Sequence, residues 1–435
     1  MVKVLTQEFY KQVLPWVKAN RWFIGLSGGM DSTVLLHLLV MLKKNYVLPE
    51  MTAIYIHHGL QQVADDWALH CQNLCQELAI PLHITRVKVA KRSSLEEAAR
   101  DARYQAFSEL LKAGDVLFTA QHQNDQAETL MFRLVRGAGV RGLAGIPKQR
   151  KLGLGELVRP LLSFTHKQLK DYALANALQW IEDPTNQDIH YARNYLRHKV
   201  IPVLQQQWPS VITNIGQATC HLQEAQQLLT ELALQDLQEA QVKPLYAWLT
   251  PPSLLLEPLT RLSLARQKNA LSCWLSRYVL LPNSHHWQGW QQLIAAKEDA
   301  NPIWQLQHAE LHRANGRIWL LSGHWLEQPI DKKLLITTNP IQLENNGQVI
   351  LAGQLPSNSV ALSYRQGGEV IELANRGRRD LKRLFNEQAI PPFVRNRIPL
   401  LVDQQGKLLA VANFPQWHAK TVSSTLIFKW LPNDC

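Results

Sequence analysis

Six consecutive residues, Ser27-Gly28-Gly29-Met30-Asp31-Ser32, carry the sharpest chemical signal in the chain. Adjacent glycines let backbone N–H groups approach an anion closely. A helix opening near Ser32 adds unpaired N–H groups and the positive end of its dipole. Ser27 and Ser32 add hydroxyl donors, so the loop is expected to hold phosphate. Its pattern is neither G-x-x-x-x-G-K-S/T nor G-x-G-x-x-G. Asp31 is the odd member, because a carboxylate repels phosphate. A Mg2+ ion between the two removes the conflict.

The surrounding elements give this loop its setting. Trp22–Leu26 is a short apolar run, and a helix is expected from Ser32 to about Lys43. Strands are expected at Ala53–Ile56, Leu82–Val89 and Val116–Ala120, with helices at Ala64–Leu78, Leu95–Lys112 and about Gln126–Val135. Strands alternating with helices predict βαβ units and a parallel sheet covered on both faces. The carboxyl ends of such strands share one edge, where ligands bind. Three polar clusters follow strand ends: the loop, His57-His58-Gly59, and Gln121-His122-Gln123-Asn124-Asp125. Chain order therefore brings Asp31, His58, His122 and Asp125 towards one crevice. No thiol stands at finger spacing from these histidines, which argues against zinc. Glu96, Arg100 and Arg103 share a helical face with Phe107. Arginine suits phosphate through its planar fork.

Composition bounds the rest. The 435 residues are 46% hydrophobic and 19% charged, which excludes a wholly disordered chain. Forty-six Lys and Arg against 35 Asp and Glu give a net charge of +11, pointing to a polyanionic partner. Five cysteines without a C-x-x-C pair imply a reducing, cytoplasmic setting. The apolar run Val34–Leu42 is interrupted by His37 and is too short to span a bilayer. The opening residues contain no apolar signal core.

The loop string resembles the pyrophosphate loop of the N-type ATP pyrophosphatase (PP-loop) superfamily, whose members cleave ATP to AMP and pyrophosphate while adenylating a substrate. Further strings resemble one family within it, the tRNA(Ile)-lysidine synthetases. These are Ile56–Leu60, Leu95–Tyr104, Thr119–Thr129, Arg136–Gly145, Arg159–Leu162, Asp183–Asn186 and Ala192–Leu204. Arg365–Gly368 and Arg378–Pro399 resemble that family's appended C-terminal domain, and Arg266–Leu275 and Arg313–Leu321 its small helical domain more loosely. The chain departs from the family at Gln61, Gln121 and Asn124, the last standing where the first Asp of an Asp-Asp-Gln triplet is usual.

The resemblance implies an α/β fold: a Rossmann-like PP-loop catalytic domain over 1–215, a helical tRNA-contacting domain over 216–330, and a C-terminal α+β tRNA-binding domain over 331–435. It implies ATP-dependent ligation of L-lysine to carbon 2 of the wobble cytidine in the CAU anticodon of tRNA(Ile). The route is an adenylated tRNA, with release of AMP and pyrophosphate, and codon reading changes from AUG to AUA. ATP and Mg2+ are the expected cofactors, and a homodimer is compatible with this reading.

Ser27–Ser32, His58, Arg100 and His122 are expected to bind the nucleotide, and Asp31 and Asp125 the metal. Asp31, Asp125, Glu128 and Arg193 are the expected catalytic set. Asp125 and Glu128, three apart at a helix start, are candidates to orient or deprotonate the lysine amine. Arg193, Asn194 and Arg197 share a helical face, open to either RNA or nucleotide phosphates; Arg197 is assigned to RNA. So are Arg378, Arg379, Lys382, Arg383, Arg395 and Arg397. Residues 365–397 hold eight Lys or Arg against four acids, a surplus suited to phosphate contacts.

Three other readings compete. A tRNA thiolase of the superfamily would need reactive cysteines, whereas Cys71 and Cys75 are spaced C-x-x-x-C. An amidating ligase would need a glutaminase domain. A catalytically dead tRNA-binding protein would bind tRNA without forming AMP in response to lysine.

Overall fold

A computed structural model describes residues 2–59, 64–89, 95–281, 284–297, 300–329, 334–335, 340–355, 360–374 and 376–433. Gln61 and Cys435 lie outside them. The chain divides into two compact units, 1–227 and 228–435.

The first unit runs α1 (Val2–Val13), β1 (Arg21–Gly25), α2 (Met30–Lys43), β2 (Glu50–His57), α3 (Ala64–Glu77), β3 (Leu82–Arg86), α4 (Leu95–Leu110), β4 (Val116–Phe118), α5 (Gln123–Leu134) and α6 (Val140–Leu143). Then come β5 (Gln149–Leu152), β6 (Gly155–Val158), α7 (His166–Ala175), α8 (Ala192–Tyr195), α9 (Ile201–Gln207) and α10 (Val211–Gln238). The strands form one sheet ordered β3-β2-β1-β4-β6-β5. Neighbours from β3 through β6 pair parallel, and β5 closes the edge antiparallel. The β5–β6 hairpin has no counterpart among the expected strands, and its β6 supplies the parallel neighbour of β4.

Strand pleating explains the two-sided core. Trp22 and Ile24 face a cluster with α1, α2, α3 and α7, through Phe9, Leu35, Cys71 and Tyr172. Phe23 points the other way, with Ile54, Leu117 and Phe107 of α4. His37, on the apolar helix α2, is buried but satisfied, its Nδ1 being 2.9 Å from the Tyr172 hydroxyl. At the amino ends of β1 and β4, Arg21 grips the buried Asp115 carboxylate at 2.6 and 3.2 Å.

From β1 the chain winds outward through β2 to β3, then returns to the other side of β1 to form β4. The crossover direction reverses between β1 and β4, so a crevice opens at their carboxyl ends. The loop after β1 and the His122 segment after β4 both stand there.

The second unit starts with a helical segment around the antiparallel sheet Ser253–Leu255, Arg317–Ser322, Ala309–Ala314, Ile303–Leu306. A larger core follows, built on short antiparallel strands and the helix Leu381–Glu387. Among the described residues, no helix is long and apolar enough to cross a membrane.

Candidate active site

The glycine loop is shaped by its own side chains. Gly28 has φ +82°, a left-handed conformation that disfavours any side chain. A Cβ there would also sit 3.2 Å from Cys71 Sγ. The Gly28 carbonyl accepts from the Ile181 N–H at 2.9 Å. The Ser27 N–H donates to Ser32 Oγ at 3.1 Å, and that hydroxyl donates to the Gly29 carbonyl at 3.0 Å. Gly29 is the N-cap of the fourteen-residue α2, and no side chain caps it. First-turn N–H groups of α2 are thus left without a side-chain acceptor at the crevice, as an anion requires.

Asp31, in the first turn of α2, faces His122, the N-cap of α5. Their Oδ2 and Nε2 are 3.5 Å apart. His122 and Asp125 form a capping box: the His122 N–H donates to Asp125 Oδ2 at 2.9 Å, and the Asp125 N–H to His122 Nδ1 at 3.4 Å. Burial alone would depress His122; Asp125 and Asp31 more than reverse this and hold it at about 9. Burial raises the Asp31 carboxyl, but His122, His166 and Arg197 outweigh it and keep it below its ordinary value.

The polar line continues. Arg197 Nη2 lies 3.7 Å from Asp125 Oδ1, and Arg197 grips Glu128 through Nε at 2.6 Å and Nη2 at 3.1 Å. Glu128 is 1% exposed, and burial pushes its carboxyl upward. Arg193 donates to Thr129 Oγ1 at 3.1 Å. Five of the anticipated residues, Asp31, His122, Asp125, Glu128 and Arg197, therefore form one connected charge chain beside the loop. His58 and Arg100 belong with α4: His58 Nε2 is 3.4 Å from the Arg103 guanidinium, and Arg100 lies 5.2 Å over the Tyr104 ring. Burial and Arg103 lower His58 to about 4. Burial, Arg193 and Arg100 lower the Arg133 pKa, the mark of a cationic gathering.

Three family models match the chain: the PP-loop domain over 2–204, the TilS substrate binding domain over 254–319, and the TilS substrate C-terminal domain over 360–424. The tRNA(Ile)-lysidine synthase of Pseudomonas fluorescens (strain Pf0-1) is 50% identical over 431 residues, covering 99% of this chain and 97% of that protein. The chain belongs to the tRNA(Ile)-lysidine synthase family. The Pseudomonas putida synthase is 52% identical, covering 92% of this chain and 94% of its own length. The synthase of Coxiella burnetii is 37% identical, covering 94% and 93%. Membership makes this an enzyme, and its PP-loop domain makes ATP the nucleotide it uses.

Two of the departures from the family pattern, Asn124 and Gln121, have structural explanations. Asn124 Oδ1 accepts the His166 backbone N–H at 3.0 Å, a task needing an acceptor but no charge. Gln121 Oε1 accepts from Thr119 Oγ1 at 2.6 Å and from Arg159 Nε at 3.2 Å. Gln126 clasps the Ile146 backbone with both ends of its amide, at 2.9 and 2.5 Å. Arg133 binds the Gly142 and Gly145 carbonyls at 2.7 and 2.9 Å, so the glycine-rich 137–145 stretch is fastened to α5.

Three of the expected residues make contacts within the protein itself. Arg397 is 6% exposed, and its guanidinium donates to the carbonyls of His324, Glu327 and Asn345 at 2.9, 2.5 and 2.8 Å. It braces the C-terminal core and presents no free donor fork to RNA. Arg197 turns inward to Glu128, because a buried carboxylate needs a partner. Asn194 donates to the carbonyls of Thr185 and Asp188 at 2.9 and 2.8 Å, stitching α8 to the Asp183–Asn186 turn. Arg378, Lys382 and Arg383 are exposed on the Gly377–Asp380 strand and the helix after it; Arg379 is half-buried. Arg395 is half-buried and donates to the Ile390 carbonyl at 2.9 Å.

His166 escaped the sequence reading. One ligand atom each from Asp31, His122 and His166 lies within 4.8 Å of the others. His166 opens α7, the helix that follows β6, and no motif in the sequence marks it. Cys71 and Cys75 are buried, and burial drives their thiols up to about 12 and about 11, which makes them unreactive.

Proposed function

We propose that this protein joins L-lysine to carbon 2 of the wobble cytidine in the CAU anticodon of tRNA(Ile), in a cytoplasmic setting, with ATP converted to AMP and pyrophosphate. The observation that carries this is the uncapped start of α2 at the switch point, with Asp31 and the charge chain beside it.

The first step needs an electrophile. The cytosine carbonyl at carbon 2 is amide-like and resists attack. Its oxygen attacks the α-phosphorus of ATP, an adenylate forms, and the bond to pyrophosphate breaks. The first-turn N–H groups of α2 and the Ser27 and Ser32 hydroxyls receive the charge developing on that leaving group. Arg100 and Arg193 add cationic charge. His58 and His122 line the nucleotide's edge of the sheet.

Asp31 Oδ1 is buried without a hydrogen-bond partner, as fits a carboxylate awaiting a cation. Mg2+, when bound there, supplies charge neutralisation between Asp31 and phosphate oxygens. Asp125 is the second candidate to hold it.

In the second step the lysine ε-nitrogen attacks carbon 2, AMP leaves with the former carbonyl oxygen, and the amine gives up a proton. A free lysine amine has a pKa of about 10.4, so it arrives as an ammonium that a carboxylate must orient and deprotonate. Asp125 and Glu128 are the carboxylates for this, with Arg197 as their present counter-ion.

The target base must leave its stack to reach this crevice. Arg378, Arg379, Lys382, Arg383 and Arg395 supply phosphate contacts elsewhere on the tRNA. In this reading 1–215 is the catalytic domain, while 216–330 and 331–435 hold the RNA.

The test is incubation of unmodified tRNA(Ile) with ATP, Mg2+ and labelled lysine. Label enters the RNA with the wild type, and Asp31→Ala lowers the rate at least about a hundredfold. Absence of label with the wild type overturns the function, and equal labelling with Asp31→Ala overturns the site.

A further inference from the structure

Asp31, His122 and His166 come from three separate elements, the starts of α2, α5 and α7. Their ligand atoms lie within 4.8 Å of one another. A tetrahedral ion with bonds of about 2.1 Å separates its ligands by roughly 3.4 Å. The Asp31 Oδ2 to His122 Nε2 distance, 3.5 Å, already matches that edge. The His166 side chain, the third member, is exposed. The two imidazoles meet edge to face, with centroids 5.4 Å apart and planes at 66°, rather than stacked.

We propose that these three residues form a site of two histidines and one carboxylate for a borderline-soft first-row divalent ion, Zn2+ or Co2+, distinct in chemistry from the Mg2+ that phosphate oxygens demand. Two imidazole nitrogens and one carboxylate suit such ions, whereas Mg2+ prefers an all-oxygen octahedron. Finger spacing of thiols is irrelevant here, because tertiary folding supplies nitrogen in their place.

The surroundings supply the supporting contacts such sites use. The capping box with Asp125 fixes the orientation of the His122 ring, with Nε2 turned towards Asp31. His166 is anchored by its backbone N–H to Asn124 Oδ1 at 3.0 Å. Asp31 Oδ1, buried and without a hydrogen-bond partner, has its acceptor capacity free. The site shares Asp31 and His122 with the proposed nucleotide pocket, but its metal binding stands whether or not the chain ligates lysine.

The experiment titrates the full-length, nucleotide-free protein with Zn2+ against a chromophoric chelator, and with Co2+ followed by visible absorption. One equivalent binds, and a hundredfold excess of Mg2+ leaves it in place. His166→Asn and Asp31→Asn each weaken Zn2+ binding at least tenfold and abolish the Co2+ bands, while circular dichroism and Tm of His166→Asn match the wild type. Cys220→Ser, which removes an exposed thiol, changes nothing. Unaltered Zn2+ affinity in His166→Asn, or ready displacement by Mg2+, overturns the proposal.

Discussion

Arg197 holds Glu128 in a two-pronged grip, Nε to one carboxylate oxygen at 2.6 Å and Nη2 to the other at 3.1 Å. The pair ties the helical turn 196–200 to α5 across the candidate site. Removing the arginine leaves an uncompensated charge on a side chain that is 1% exposed. Arg197→Ala is expected to lower stability by about 3 kcal/mol or more. Arg197→Ala with Glu128→Gln should recover part of that, because the stranded charge is gone. Denaturant melts of the two single variants and the double variant measure the coupling. Strict additivity would contradict the pairing.

The raised His122 pKa has a definite sign in the stability profile. A base whose folded pKa lies above its unfolded value stabilises the fold while protonated in both states. The contribution is complete below pH ~6.5 and is lost as pH rises towards about 9. The full amplitude is at most about 3 kcal/mol. Wild-type stability should therefore fall between those limits, and His122→Asn should flatten that part of the curve. Denaturant midpoints measured across the range decide it, and an unchanged slope in the variant would refute it.

Gly28 combines left-handed φ with a close neighbour in Cys71. Gly28→Ala is expected to cost about 1–2 kcal/mol of stability through the backbone alone. It should also raise the KM for ATP more than it lowers kcat, because the loop's N–H groups lose their alignment for phosphate before any chemistry occurs. Gly28→Ala paired with Cys71→Ala relieves the contact but not the φ, so recovery should be partial. Steady-state kinetics and thermal melts of both variants provide the check.

Two sets of arginines in the second unit should part company. Arg397→Ala removes a buried guanidinium that satisfies three separate carbonyls, so Tm should drop sharply. Arg378→Ala, Lys382→Ala and Arg383→Ala alter exposed side chains and should leave Tm unchanged. Each of these should instead weaken tRNA binding and reduce the salt-dependence slope by about one. Binding curves at several salt concentrations separate the two classes.

Legibility of this site followed chain distance. Alternating strands and helices exposed the shared carboxyl edge, and the convergence of Asp31 with His122 and Asp125 could be read from order alone. His166 could not, because its contribution depends on β6 joining the sheet and delivering α7 back to the crevice. The inward turn of Arg197 was hidden for a related reason: burial of Glu128, not helical spacing, dictates where that guanidinium points. Arg397 sits in a basic stretch whose charge count suits RNA, yet a local count cannot reveal that carbonyls more than fifty residues away in sequence claim it. Gln121 and Asn124 look like losses in a one-dimensional pattern. In three dimensions both need only a neutral acceptor.

The most direct test is a crystal structure of the full-length protein with a non-hydrolysable ATP analogue and Mg2+. The β- and γ-phosphates should lie within hydrogen-bond reach of the N–H groups of residues 28–32, with Asp31 facing the ion between them. Phosphates lodged away from that turn, with the start of α2 still empty, would contradict the account.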